Sequence, residues 1–259
     1  RYNLFYQIMR CFVRFLTITN NYCNQRMIEL NKVLPPDTII FISGASGVGK
    51  TTISRKLLDY FPEILVIQEV DLIREVVRSY NEIFKLKSHL PRECEWLKPL
   101  LNNDILQKST SQLTLKEMLH QSMFLILPIK AICKRLKKKG IPAIIEGTNI
   151  VYEQLINTSH EGKYFIDSTN IIYFNLYVSN ATIHRKFLNN RLKAQGLPEL
   201  SEDVFMHIRI INDFMQKQTN EIINGSKLYS NSFFNIDTSC IQYDPVSKIV
   251  ESILNYIKT

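Results

Sequence analysis

What this chain of 259 residues lacks narrows it quickly. Its five cysteines (Cys11, Cys23, Cys94, Cys133 and Cys240) are scattered and odd in number, with no C-x-x-C pair. No zinc site or disulfide framework is implied by them, and a reducing compartment, hence a cytoplasmic protein, is the expectation. No apolar run reaches the length of a membrane-spanning helix. Repeats, low-complexity tracts and domain linkers are missing too, which excludes arrays and tails. Before Glu29 there is no acidic residue, while Arg10, Arg14 and Arg26 lie among Phe, Tyr, Ile and Leu. Residues 1–30 are therefore set apart as an N-terminal extension. The chain begins at Arg1, and the extension is read as upstream sequence ahead of a start at Met27. An organelle-targeting presequence over 1–26, a basic amphipathic helix and a docked structural helix are the alternatives.

What is present is ordinary for a globular α/β protein: 45% hydrophobic and 22% charged residues, with a formal charge of +8. The charge favours anionic partners without choosing among phosphorylated metabolites, nucleic acid and membrane surfaces. Glycine is scarce, eight in all, yet three fall between Gly44 and Gly49. Gly44, Ala45, Ser46, Gly47, Val48, Gly49, Lys50 and Thr51 satisfy G-x-x-x-x-G-K-[ST], and Thr52 comes next. The apolar run Thr38 to Ser43 predicts a buried strand in front. Ile53, Leu57, Leu58 and Phe61 recur at helical spacing behind. Strand, glycine-rich loop and helix together form a phosphate-binding P-loop. Glycines permit the close approach of backbone to phosphate, and the exposed N–H groups and helix N-terminus make an anion nest. The expected ligands are ATP, with Lys50 on the β- and γ-phosphates, and Mg²⁺ on the Thr51 hydroxyl.

Further strands are predicted at 63–68, 141–149, 170–179 and 232–238. Helices are predicted from near Asp71, over 114–139 (stopped by Gly140), after Asn180, after Ser201 as N-cap, and over 245–257. The alternation predicts a parallel, doubly wound sheet of about five strands in one P-loop NTPase domain, 31–259. A polar break is expected at 102–112, and the helical stretch at about 85–135 reads as an insertion beside the core.

Polar residues beyond the strand ends are the other site candidates. Glu146 closes an apolar strand before Gly147, as a Mg²⁺-binding carboxylate would; Asp237 is the rival and reads as capping its turn. Asp71, just past the second strand, is placed to orient an acceptor hydroxyl and take its proton, or else to cap a helix. Arg74, one turn on, suits an anionic group on the acceptor; Arg78 reads as a solvated face. Arg185, Arg191 and Arg209, with His184 a weaker candidate, form a basic cluster suited to transferred charge. The lysines at 134–139 complement a helix C-terminus.

The segments GASGVGKTT, VDLIREVVR, IIEGTNIV and HIRIINDFMQKQTNE, in this order over roughly 36–257, resemble the 2-phosphoglycerate kinase family of P-loop kinases. The resemblance implies a nucleoside/nucleotide-kinase-like core and phosphorylation of a small phosphorylated acceptor at its free hydroxyl. It assigns Lys50 and Thr51 to nucleotide and metal, Asp71, Arg74, Asn149 and Arg209 to the acceptor side, and Glu146 to the metal. Val70, Asn149 and His207 depart from the residues usual in that family, at positions that bear on the acceptor. A kinase of a nucleic-acid end or a nucleotide sugar, and a nucleotide-dependent regulatory protein without acceptor chemistry, are the competing expectations.

Overall fold

A computed structural model describes residues 34–83, 107–157, 170–225 and 231–258. The N-terminal extension therefore lies outside the described residues, as does the first part of the expected insertion. Strand β1 (Ile39–Ser43) leads through the P-loop into α1 (Lys50–Leu57). Strand β2 (Val66–Glu69) runs directly into α2 (Val70–Ile83). The long helix α3 (Gln107–Lys139) precedes β3 (Ala143–Gly147), which is followed by the short α4 (Tyr152–Asn157). Strand β4 (Ile171–Tyr177), α5 (Ala181–Ala194), α6 (Glu202–Gly225), β5 (Phe233–Asp237) and α7 (Pro245–Lys258) complete the order.

The five strands form one all-parallel sheet in the order β2-β3-β1-β4-β5. β1, β3 and β4 are buried almost throughout, which explains why their sequences are continuous apolar runs rather than alternating ones. Ile39, Phe41, Ala143, Ile145, Ile171 and Tyr173 join α3 side chains in the core on one face of the sheet. Strand register sets the surroundings of the loop: Ser43, Gly147 and Asn175 are cross-strand neighbours, and Glu146 lies beside both Ile42 and Glu69. The P-loop thus starts at the carboxyl edge of the central strand, between the ends of β3 and β4.

Local signals account for most boundaries. Asn180 caps α5 by accepting from the Ile183 N–H at 3.1 Å, and Asp244 caps α7 from Ser247 at 2.8 Å with Pro245 at the first helical position. Gly140, at φ 62, ends α3 as expected. Two expectations fail. The polar stretch 107–112 is helical, because Gln, Lys, Ser and Thr without Gly or Pro let α3 start seven residues before Thr114. The second half of α3 is also not an appendage, since Leu125, Ile129, Cys133 and Leu136 belong to the central core. Burial pushes the Cys133 thiol up to about 12, which leaves it an inert core group.

Candidate active site

The loop between β1 and α1 is built on three left-handed glycines, Gly44 (φ 141), Gly47 (φ 80) and Gly49 (φ 91). At Gly44 a Cβ would stand 2.2 Å from the Leu176 carbonyl oxygen, so β4 itself demands glycine there. Gly49 is the N-cap of α1 and brings no side-chain cap, which leaves the first N–H groups of the helix to an anion. Lys50 Nζ lies over the loop, donating to the carbonyls of Gly44 (3.0 Å) and Ala45 (2.8 Å) and to Thr148 Oγ1 (3.4 Å). In front of the loop is a cleft of about 820 Å³. Gly47 to Ile53 with Arg55 and Lys56 form its floor, Phe187 and Asn190 of α5 one wall, and Thr238 and Asp244 to Val246 the other.

Glu146 is 2% exposed at the end of β3. Burial pushes its carboxyl up, and Thr51, the Lys50 charge and Ser54 pull it partly back against Glu69. Ser54 Oγ donates to Oε2 at 3.2 Å, while Oε1 is buried without a hydrogen bond of normal geometry. A buried carboxylate oxygen without a hydrogen bond, next to the P-loop threonine, suits a divalent cation. Among the described residues no group of three or more His, Cys, Asp or Glu side chains could hold a metal. Thr51 and Glu146 would hold Mg²⁺ only together with phosphate oxygens, which is how Mg²⁺ is commonly bound at such loops. Asp237, the rival carboxylate, is used otherwise. It accepts from the Ser239 N–H (2.9 Å), the Ser239 hydroxyl (2.6 Å) and the Ser179 N–H (3.2 Å). Burial would raise its carboxyl, but these bonds hold it below the usual range, and its work is to fix the turn after β5.

A second pocket, of about 240 Å³, opens beside the loop. Ser46, Arg74, Gln121, Thr148, Asn149 and Arg191 supply its polar lining. Leu188, Leu192, Val204, Ile208 and Ile211 of α5 and α6 form a dry wall. Arg74, Gln121 and Asn149 are 5%, 3% and 5% exposed, and Arg74 Nε, Gln121 Nε2 and Asn149 Nδ2 are buried without a hydrogen-bond partner. Three unpaired N–H groups in one cavity are costly unless an oxygen-rich ligand satisfies them. Arg191 and Gln195 line both this pocket and the P-loop cleft. The two cavities therefore meet at the Arg191 side chain, which makes no hydrogen bond or ion pair among the described residues.

Of the residues singled out from sequence, Arg74, Asn149, Arg191, Lys50 and Glu146 converge here. Asp71 stands beside Arg74, its Oδ1 3.5 Å from NH1, but lines neither cavity. It makes no hydrogen bond, so its alternative role as a helix cap is not realised. Arg185 does not face the loop: it pairs with Glu202 and stacks 4.4 Å over the Phe205 ring, joining α5 to α6. Arg209 is not in the pocket lining either. It donates to the Val178 carbonyl, to His184 Nδ1 (3.3 Å) and to Asp213 Oδ1 (2.8 Å). Arg78 is largely covered and paired with Glu75 at 2.6 Å, not a solvated face. Val70 packs into the core against Gly147, where an added Cβ would meet its Cβ at 2.6 Å. His207 Nδ1 lies 2.6 Å from the Thr114 hydroxyl and ties α6 to α3. Sequence reasoning missed Gln121, a polar residue on the buried face of a long helix with no motif around it.

A parallel sheet in this order, with a P-loop after its central strand and a helical wall over a second pocket, is the fold of the P-loop kinases. Comparison with the sequences of known proteins supports the resemblance read from the motifs. The chain is 29% identical over 185 residues, 71% of its length, to a 2-phosphoglycerate kinase of Methanococcus vannielii, and 25% identical over 137 residues to a uridine kinase of Borrelia turicatae. It spans 56% of the former and 63% of the latter, just over half the length of the 2-phosphoglycerate kinases it matches. Among solved structures, a shikimate kinase of Acinetobacter baumannii in complex with shikimate aligns with a TM-score of 0.43 at 14% identity, covering 87% of this chain and 93% of that one. No family model matches the chain.

Proposed function

We propose that this protein transfers the γ-phosphoryl group of ATP to a hydroxyl of a phosphorylated acid, with 2-phosphoglycerate, giving the 2,3-bisphosphate, as the acceptor. The observation that carries this reading is the meeting of two cavities at Arg191: one floored by the P-loop, the other furnished with buried, unpaired N–H groups. The loop N–H groups and Lys50 hold the nucleotide phosphates. Mg²⁺, bound through Thr51 and Glu146 together with phosphate oxygens, supplies neutralisation of the phosphate charge. Arg74 offers its guanidinium to a carboxylate or phosphate, and Asn149 and Gln121 add amide donors. Asp71, which lies outside both cavity linings, holds Arg74 by its ion pair and becomes the base for the acceptor hydroxyl only where the bound acceptor reaches past Arg74. Arg191, between the cavities, stabilises the charge that develops on the transferred group. The aliphatic side of α5 and α6 keeps water from competing with the acceptor.

The test is an acceptor screen with the purified protein, ATP and Mg²⁺. It should include 2-phosphoglycerate, other phosphorylated acids, nucleosides and oligonucleotide 5′ ends. The expected product with 2-phosphoglycerate is a bisphosphate, seen by ³¹P NMR, and Lys50→Ala should lower its rate of formation by on the order of a thousandfold. Turnover of nucleosides or oligonucleotides alone would move the function to the competing kinase classes. ATP binding without transfer to any acceptor would leave the regulatory reading.

A further inference from the structure

His184, the weakest member of the basic cluster on sequence grounds, is wholly buried against the P-loop. Its Nε2 lies 2.8 Å from the Ser46 carbonyl oxygen, and its Nδ1 lies 3.3 Å from Arg209 NH1. A carbonyl only accepts and a guanidinium only donates. Nε2 therefore carries the hydrogen and Nδ1 is bare, which defines a neutral imidazole of one tautomer. Arg209 is fixed in turn by the Val178 carbonyl and by Asp213, and Asn212 clamps the same backbone, accepting from the Val178 N–H at 3.0 Å. A continuous chain of hydrogen bonds thus runs from the end of β4 through α6 and α5 to the middle of the P-loop.

The place where it ends is specific. The Ser46 carbonyl and the Gly47 N–H belong to one peptide unit, and every peptide bond among the described residues is trans. Holding the carbonyl on His184 turns the Gly47 N–H away from the imidazole. Gly47 lines the P-loop cleft and sits at φ 80, so nothing in its own side chain resists rotation of that peptide. We propose that His184, kept in its Nε2–H tautomer by Arg209, is a positioning residue that locks the Ser46–Gly47 peptide so that its N–H serves the nucleotide phosphates. The inference rests on the nucleotide half of the proposed function and not on the identity of the acceptor.

Charge gives the relay a pH dependence. A second proton would sit on Nδ1 and point at Arg209, which has no lone pair to offer. Burial disfavours it first, and Arg209 and Lys50 add to this. The Ser46 carbonyl and Asp213 work the other way, and the balance holds His184 below the ordinary histidine range. The wild-type protein should therefore keep full affinity for ATP at neutral pH and lose it in an acid limb that lies below that range.

Two measurements test this. In the nucleotide-free protein, ¹⁵N NMR of the imidazole should show the Nε2–H tautomer and a titration below that of an exposed histidine. Calorimetry should show that His184→Leu weakens ATP binding about tenfold at all pH values, since it strips the loop carbonyl of its donor. His184→Gln offers both a donor and an acceptor but does not titrate. It should recover most of that affinity and remove the acid limb. If His184→Leu does not fold, the glutamine variant and the NMR carry the test. An Nδ1–H tautomer, unchanged affinity in His184→Leu, or an acid limb that persists in His184→Gln would each overturn the relay. A wild-type protein with the expected tautomer and no affinity for ATP would instead sink the proposed function.

Discussion

A guanidinium that is 5% exposed with its Nε–H unbonded is an expensive object to fold around, and Arg74 is held in that state by ion pairs to Asp71 at 3.5 Å and Glu75 at 3.8 Å. Such an arrangement makes sense if a ligand completes it. Arg74→Lys keeps the charge but not the planar fork, so the acceptor KM should rise by about tenfold or more while ATP affinity stays within about twofold. Steady-state kinetics with each substrate varied check this, and an equal loss for both substrates would remove Arg74 from the acceptor. Glu146 carries a related cost with a definite sign. Because burial raises its carboxyl, the folded state is penalised for holding it ionised. That penalty is absent below the ordinary carboxylate range and grows as pH rises through that range toward the raised value. Glu146→Gln should therefore melt a few degrees higher than the parent at pH 7, with the gain vanishing as pH falls into the ordinary range. The same variant should lose most Mg²⁺-dependent activity. Melting curves at several pH values beside a Mg²⁺ titration separate the two effects.

At the scale of elements, the P-loop and the strands around it were legible because their signals are local: a fixed glycine spacing, an apolar run before it, a helical period after it. Glu146 was legible for the same reason, at the end of an apolar strand, whereas Asn149 was reached only through the family resemblance. The helices that form the second pocket were harder. Gln121 sits in α3 like any polar residue of a long helix, and only packing shows that its amide faces a cavity. Arg209 looked like a ligand-binding arginine, although Asp213 four residues later already offered it a partner on the same helix face. His184 shares its face with Leu188, four residues on, and both are buried. That shared spacing was the available sign that the histidine points inward. The loop's dependence on its neighbours gives a further prediction. At Gly44→Ala the new Cβ would strike the Leu176 backbone while forcing φ 141 on a residue that resists it. The cost should be about 3 kcal/mol or more, a fall of roughly 10 °C in melting temperature for a chain of this size, with nucleotide affinity lost as well.

On the scale of the whole molecule, two adjoining cavities lie at the P-loop end of the sheet, and the second is lined mainly by helices. Helix α3 carries a proline, Pro128, in its interior. Proline brings no N–H, so the bond from position 128 to the carbonyl of Phe124 is missing, and the ring crowds that turn. Beyond the proline, Ile129, Cys133 and Leu136 are anchored in the core. Before it, Leu125 is in the core as well, Met118 and Gln121 face the second pocket, and Thr114 is tied to α6 through His207. The helix thus has a weakened turn at Pro128, with core side chains on both sides of it and its outer part tied to α6 and, through the Leu119 carbonyl, to Gln154 of α4. Hydrogen–deuterium exchange should register this as backbone amides over 113–123 that exchange faster than those over 129–137, by on the order of tenfold. Acceptor bound between Arg74 and Gln121 should close that gap, and Pro128→Ala should narrow it with no ligand at all.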